Sequence, residues 1–152
     1  QTIHRDERSH FAYLYWLPTS SISFSASYEY DEFDAGDARL PDGFSTLETH
    51  RVPLRFNYSH PSGFGAGIEA RFVDQSGYFS PVSDDAQPPE YGEDRFWSVD
   101  LAISYRLPSK RGQVSWKVLN ATDEEFRFQD IDPENPRILP SRMVQMAFTL
   151  SY

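Results

Sequence analysis

Strict alternation of apolar and polar side chains decides the fold, and it is clearest in the stretch Ser21-Ile22-Ser23-Phe24-Ser25-Ala26-Ser27-Tyr28-Glu29-Tyr30. Every second residue from Ile22 onward is apolar or aromatic, whereas the residues between are serines and one glutamate. Successive side chains of a β-strand point to opposite faces, so this spacing predicts a strand with one apolar and one polar face. An amphipathic helix would need a spacing of three to four residues.

The same alternation returns along the rest of the chain. It is found in residues 51–58, 64–72, 97–105, 113–118 and 144–152, with a less regular first strand in residues 10–17. A strand that crosses a membrane at a tilt needs about 9–11 residues, which is the length of these segments. The sequence therefore predicts an all-β chain, an antiparallel transmembrane β-barrel segment of about seven strands.

Composition supports a membrane barrel over an ordinary soluble domain. Only 39% of the 152 residues are hydrophobic and the mean hydropathy is -0.60, yet aromatic residues reach 16%. A barrel needs an apolar residue only at every second position, and its aromatic residues gather at the membrane interfaces. No run of about 18 apolar residues exists, so a transmembrane helix is excluded. The net charge of -9 argues against a nucleic-acid partner, because binding phosphates requires clustered Lys and Arg.

The connections between the predicted strands alternate in length. Short turns at residues 17–20, 60–63 and 108–112 contrast with long acidic segments at residues 31–48, 74–94 and 121–141. Outer-membrane barrels have short periplasmic turns and long extracellular loops. We therefore expect membrane strands over residues 10–152 with these three long loops outside, and residues 1–9 as an extracellular segment leading into the first strand.

Aromatic residues on the apolar face lie near the strand ends, with mostly Ala, Val, Leu and Ile between them. This pattern predicts two membrane girdles, in contact with outer-membrane lipid and lipopolysaccharide, and hence a location in the bacterial outer membrane. A soluble β-sandwich would also show alternation and is the alternative fold. The girdle residues are Tyr28, Tyr30, Tyr58, Phe72, Trp97, Tyr105 and Tyr152.

The polar face carries charged residues, and charges cannot face lipid at low cost: an Arg or Lys at the midplane costs about 2–4 kcal/mol. We therefore expect these residues to line the lumen, where they would form a slightly basic pathway that favours anionic solutes. The alternative is that they pair across strands and fill the wall. The predicted lumen residues are Glu29, Arg51, Arg55, Glu69, Arg71, Asp100, Arg106 and Lys117.

Two stretches of the final third resemble the C-terminal end of TonB-dependent receptors. Val118-Leu119-Asn120-Ala121-Thr122-Asp123-Glu124-Glu125-Phe126 is similar to the N-x-x-D-x-x-[FY] motif after their penultimate strand. The alternating residues Met146, Phe148, Leu150 and Tyr152 resemble the signal read by the barrel-assembly machinery. The resemblance implies an outer-membrane transport barrel that takes up a ligand, with that machinery and an energising periplasmic protein as partners. The barrel of a tetratricopeptide-linked polysaccharide exporter and a structural barrel subunit of an envelope complex are the alternatives.

The odd number of strands predicts that the chain is part of a larger barrel, since bacterial single-chain barrels have an even number. The remaining strands would come from the same protein or from another chain. A complete eight-stranded barrel is the alternative, with an extra strand from residues 1–8 or 126–139.

No pattern of residues proposes an enzyme, a cofactor or a resident metal. The acidic stretches 31–37 and 130–135 are compatible with calcium but lack the EF-hand spacing, and the four histidines lack zinc-site spacing. The absence of cysteine excludes thiolate metal sites and cysteine nucleophiles. Aromatic residues within the long loops either pack the loops together or stack on a ligand, and they are Tyr78, Phe79, Tyr91, Phe126 and Phe128.

Overall fold

A computed structural model describes residues 6–34, 44–79, 90–125 and 141–150, which form one antiparallel sheet in which every strand pairs with its neighbours in sequence. This confirms the all-β, seven-stranded, antiparallel prediction. β1 and β7 are the two edges, and no described residues pair them to close the sheet. The strands are β1 (Asp6–Thr19), β2 (Ile22–Asp34), β3 (Phe44–Ser59), β4 (Phe64–Phe79), β5 (Glu90–Arg106), β6 (Gly112–Leu119) and β7 (Met143–Leu150).

Tight turns join the strands at one end of the sheet, which we call the turn end. In the turn between β3 and β4, the amide of Gly63 donates to the carbonyl of His60 at 3.0 Å, and Gly63 has φ +95°. A Cβ at Gly63 would lie 2.7 Å from the carbonyl oxygen of Arg106, so only glycine fits without a shift of backbone. The third turn, Pro108–Lys110, places Ser109 in the left-handed conformation, at φ +58°.

At the opposite, long-loop end, the strands extend further than the sequence predicted. β1 begins at Asp6, so residues 6–9 already belong to the first strand, and residues 6–8 are not available for the alternative eighth strand over residues 1–8. The extracellular position of residues 1–9 stays a prediction. The expected outer loops 31–48 and 74–94 are likewise too long at both ends. The residues concerned belong to strands, and they are 31–34, 44–48, 74–79 and 90–94. Residues 35–43, 80–89 and 126–140 lie outside the described part of the chain.

The cause of this error is an inversion of polarity along the strands. Beyond the pair Phe72 and Trp97, the apolar face changes to polar side chains such as His50, Asp74 and Arg95. On the polar face the reverse happens, and apolar side chains that are at most 4% exposed appear there: Phe33, Leu47, Val73 and Phe96. Backbone pairing continues through this inversion, whereas the alternation that predicts a membrane strand stops.

Between the turn end and the inversion, the apolar face is exposed: Ile68 is 43% and Leu101 42% exposed. The polar face of this part is exposed at Arg55 and Asn57 as well, and Ser98 is buried where the inversion begins. A soluble sheet would bury such apolar side chains against a second layer. Within the described residues every strand belongs to this one sheet, so none of them provides such a layer.

Candidate functional site

The strand register places all eight charged residues predicted to line the lumen on the polar face. Glu29 lies opposite Arg51 on β3, Arg71 opposite Ser98, and Lys117 opposite Ala102. Arg55, Glu69 and Asp100 form one row across β3, β4 and β5. Arg106 completes the set at the turn end of β5, opposite Gln113.

Four of these residues form an ion-pair cluster in the middle of the face. The carboxylate of Glu69 accepts hydrogen bonds from Arg55 Nε at 2.6 Å and Nη2 at 3.4 Å, and one from Arg71 Nη2. Arg71 also lies 3.9 Å from Asp100 Oδ2. Two arginines and two carboxylates make the cluster neutral, which is the arrangement in which charges pair across strands and fill the wall.

A second ion pair lies nearer the long-loop end, among the apolar side chains of the inversion. Arg51 pairs with Asp31 on the neighbouring strand, and its side chain is only 4% exposed. Beside it, Gln75 Nε2 donates to Thr49 Oγ1 at 3.1 Å, and both residues are buried. Buried polar groups require such partners, because an unpaired one costs about 1–3 kcal/mol. This end of the polar face is therefore closely packed.

Arg106 and Lys117 differ from the cluster. Both are exposed, and neither forms an ion pair with a described residue. They lie toward the turn end, below the neutral cluster. The positive charge that the sequence assigned to the whole face therefore lies in the half of it nearer the turn end.

The Asn120 and Asp123 motif forms a corner that holds three strands together. The amide of Asn120 donates to Asp100 Oδ1 at 2.8 Å, and its side chain bonds both the amide and the carbonyl of Glu124 at 3.0 Å. Asp123 accepts from the amide of Arg142 at 3.1 Å and pairs with its guanidinium at 3.2 Å, just before β7. Sequence reasoning used this motif only as a resemblance. The residue types could have predicted the corner, because Asn and Asp tolerate the left-handed conformation that Asn120 and Asp123 adopt here, at φ +47° and +56°.

The predicted girdle residues lie in rungs at the two ends of the apolar face. The ring centroids of Phe72 and Trp97 are 5.2 Å apart. The hydroxyl of Tyr28 and Nδ1 of His50 share a hydrogen bond of 2.7 Å. Tyr30 lies one rung further out, level with His50. Tyr58 and Tyr105 lie at the turn end, and Tyr152 is outside the described residues. Trp97 and Tyr105 are eight residues apart on β5, about 27 Å along the strand.

The residues of the expected assembly signal share one face of the edge strand β7. Met146, Phe148 and Leu150 lie opposite Trp116, Val114 and Gly112 of β6 and are exposed on the apolar face. Tyr152, the last residue of that signal, lies outside the described part of the chain.

Sequence reasoning missed a row of aromatic residues on the polar face of β1. Phe11, Tyr13 and Tyr15 lie on the face of Glu29 and the serines, because the register pairs Tyr13 with Ser27. The signal was present but unclear, since both faces of β1 carry apolar side chains and the first strand shows no clean alternation.

Three of the aromatic residues expected within a loop belong to strands: Tyr78, Phe79 and Tyr91. The rings of Tyr78 and Tyr91 meet edge to face at 5.5 Å, and the hydroxyl of Tyr91 donates to Glu93 Oε1 at 2.9 Å. That bond to a carboxylate raises the pKa of Tyr91. The side chain of Phe79 and the whole of Phe126 and Phe128 lie outside what the structure describes.

In the described ranges no three His, Asp or Glu side chains are grouped so that they could hold a metal ion. The acidic stretch that the sequence offered for calcium begins with Asp31, whose carboxylate is paired with Arg51. The part of it beyond Asp34, and all of residues 130–135, lie outside the described ranges. No helix among the described residues is long and apolar enough to cross a membrane.

Comparison of the chain with protein-family models, with curated proteins and with solved structures gives no match.

Proposed function

We propose that the chain forms part of the wall of an outer-membrane transport barrel, the C-terminal portion of a TonB-dependent receptor-like protein that takes up a ligand. The observation that carries the proposal is the exposed apolar face between two aromatic rungs about 27 Å apart along the strand. At the tilt of about 35–45° that membrane strands adopt, this length spans about 19–22 Å of the bilayer, close to the apolar band of about 25 Å between the two aromatic girdles of outer-membrane barrels. Contact with lipid would stabilise such an exposed apolar face.

The opposite face fits the interior of such a barrel. The central charges pair with each other and form a neutral cluster. Lys117, one row nearer the turn end, and Arg106, at the turn end itself, remain as cations. The turn end is the periplasmic end if the long loops lie outside. A pathway along this face would therefore favour anionic solutes mainly at its inner end.

Single-cysteine variants test the membrane assignment, since the chain has no cysteine of its own. Asn57 is exposed on the polar face, and Ile68, one rung away, is exposed on the apolar face. In outer membranes, an environment-sensitive fluorophore at Ile68→Cys should be quenched by nitroxide-labelled lipids. At Asn57→Cys it should be quenched by water-soluble iodide instead. Equal quenching of the two positions by iodide would contradict a lipid-facing sheet.

Ion selectivity in planar lipid bilayers tests the transport pathway. The full protein should conduct with a preference for anions, and replacing both Arg106 and Lys117 by Gln should lower that preference. The matched control replaces Arg55 and Glu69 by Gln together, which removes one charge of each sign and should leave selectivity unchanged. A protein without conductance, or an anion preference that survives the loss of both cations, would overturn the pathway.

A further inference from the structure

β1 differs from the other strands because it carries aromatic side chains on both faces. Leu14 and Trp16 supply its apolar face, whereas Phe11, Tyr13 and Tyr15 project from its polar face. These three rings, which we call the aromatic row, are 65%, 74% and 55% exposed. An edge position explains why a side chain is exposed but not why it is aromatic. Contact with lipid does not explain the row either, since it lies on the face of the paired charges.

The neighbours of the aromatic row are hydroxyl and carboxylate groups. The register on β2 places Glu29 opposite Phe11, Ser27 opposite Tyr13, and Ser25 opposite Tyr15. Among the described residues, Glu29 forms no ion pair. Stacked rings thus run beside a line of hydrogen-bonding groups, with the centroids of Phe11 and Tyr13 5.7 Å apart.

We propose that the aromatic row and the adjacent groups of β2 bind an uncharged oligosaccharide. A sugar ring has an apolar face of C–H groups that packs on an aromatic ring, and a rim of hydroxyls that bond to serine, tyrosine and carboxylate oxygens. The charged group closest in register to the row is the acidic Glu29, which disfavours phosphates and acidic polysaccharides. The row covers about 14 Å along the strand, which is longer than one sugar ring.

This inference rests on the proposed function, which makes the polar face the wall of a pathway, and it names the class of ligand bound on the β1 side of that wall, apart from the cations nearer the turn end. Binding by an aromatic row also suits transport, because stacking is tolerant of exact position and allows a chain to move from ring to ring. A deep pocket with fixed hydrogen bonds would hold its ligand more tightly.

Binding to the full protein in detergent tests the proposal, with linear uncharged α-linked and β-linked glucose oligomers as probes and isothermal titration calorimetry as the measurement. At least one oligomer should bind. Replacing Tyr13 and Tyr15 by Ala together should weaken its binding about tenfold or more, whereas Tyr13→Phe, which keeps the ring, should cost less. Trp16→Ala is the matched control, since it removes a ring from the opposite face of the same strand and should leave affinity unchanged.

Three results would overturn the proposal: no binding of either oligomer, equal affinity in the double variant, or equally tight binding of a galacturonate oligomer. A fourth result would also overturn it. If a membrane-impermeant maleimide does not react with Tyr13→Cys in the folded protein, another part of the protein covers the aromatic row. The lipid-quenching experiment with Ile68→Cys is independent of all four, so loss of the sugar site and loss of the barrel assignment are distinguishable.

Discussion

At the scale of single residues, Glu69 decides whether the middle of the polar face is neutral. Its carboxylate joins two arginines from neighbouring positions, and its side chain is largely shielded from solvent. Glu69→Gln leaves Arg55 and Arg71 close together without their shared anion. We expect the free energy of unfolding to fall by about 1–2 kcal/mol, less than for a fully buried pair because Arg55 is half exposed. Urea unfolding in detergent, followed by tryptophan fluorescence, measures it.

Glu48→Gln provides the control for that prediction. Glu48 Oε1 also contacts a nitrogen of a neighbouring side chain, His50 Nε2 at 3.2 Å, but both side chains are well exposed. Exposed pairs contribute at most about 1 kcal/mol and often nothing. A loss of stability as large as that of Glu69→Gln would show that the shielded position of Glu69 is not the cause.

The sequence was sufficient to place the charged residues on one face, because parity alone determines the face of a strand residue. It was insufficient to say which charges meet. Arg55 meets Glu69 because the turn from His60 to Gly63 sets the register of β3 against β4, and a shift of that register would give Arg55 another partner. The sequence left both a charged pathway and paired charges open for this reason.

At the scale of elements, the alternation of side chains predicted the number of strands but not their ends. A pattern of apolar residues reports the surroundings of a strand, and those surroundings change at Phe72 and Trp97 while backbone pairing goes on. His50 and Asp74 resemble loop residues in the sequence, yet they pair with each other in the sheet. The aromatic row of β1 was missed for a related reason, since a strand that is apolar on both faces has no alternation to detect.

The corner after β6 is an element whose contribution can be measured. Asn120→Ala removes two hydrogen bonds to Glu124 and leaves a side chain with a Cβ but no local partner at φ +47°. The left-handed conformation alone costs such a residue about 1–2 kcal/mol. We expect a loss of at least about 2 kcal/mol in the free energy of unfolding, with less protein assembled in the outer membrane.

Thr122→Ala is the comparison for Asn120→Ala in the same corner. Its hydroxyl makes only a long contact of 3.4 Å with Asn120 Oδ1, and the residue is exposed, so assembly should stay close to that of the unaltered protein. Heat-dependent migration on gels, read together with urea unfolding, separates the two variants. If both assemble equally well, the corner does not hold β7 in place.

At the scale of the whole molecule, a sheet whose exposed apolar face contacts lipid predicts which substitutions would destabilise the protein in a membrane. Leu101 lies midway between the aromatic rungs on β5, and Asn57 is one rung away on the polar face. Leu101→Arg should cost about 2–4 kcal/mol in a lipid bilayer, since its guanidinium would face hydrocarbon. The same charge at Asn57→Arg would face the polar side and should cost less than about 1 kcal/mol. Folding into lipid vesicles, measured by urea titration, compares the two directly. A single sheet with water on both faces would tolerate Arg at Leu101 as well as at Asn57, because water would surround both positions. The sign and size of the difference between the two variants therefore test the orientation of the entire sheet, independently of any substrate.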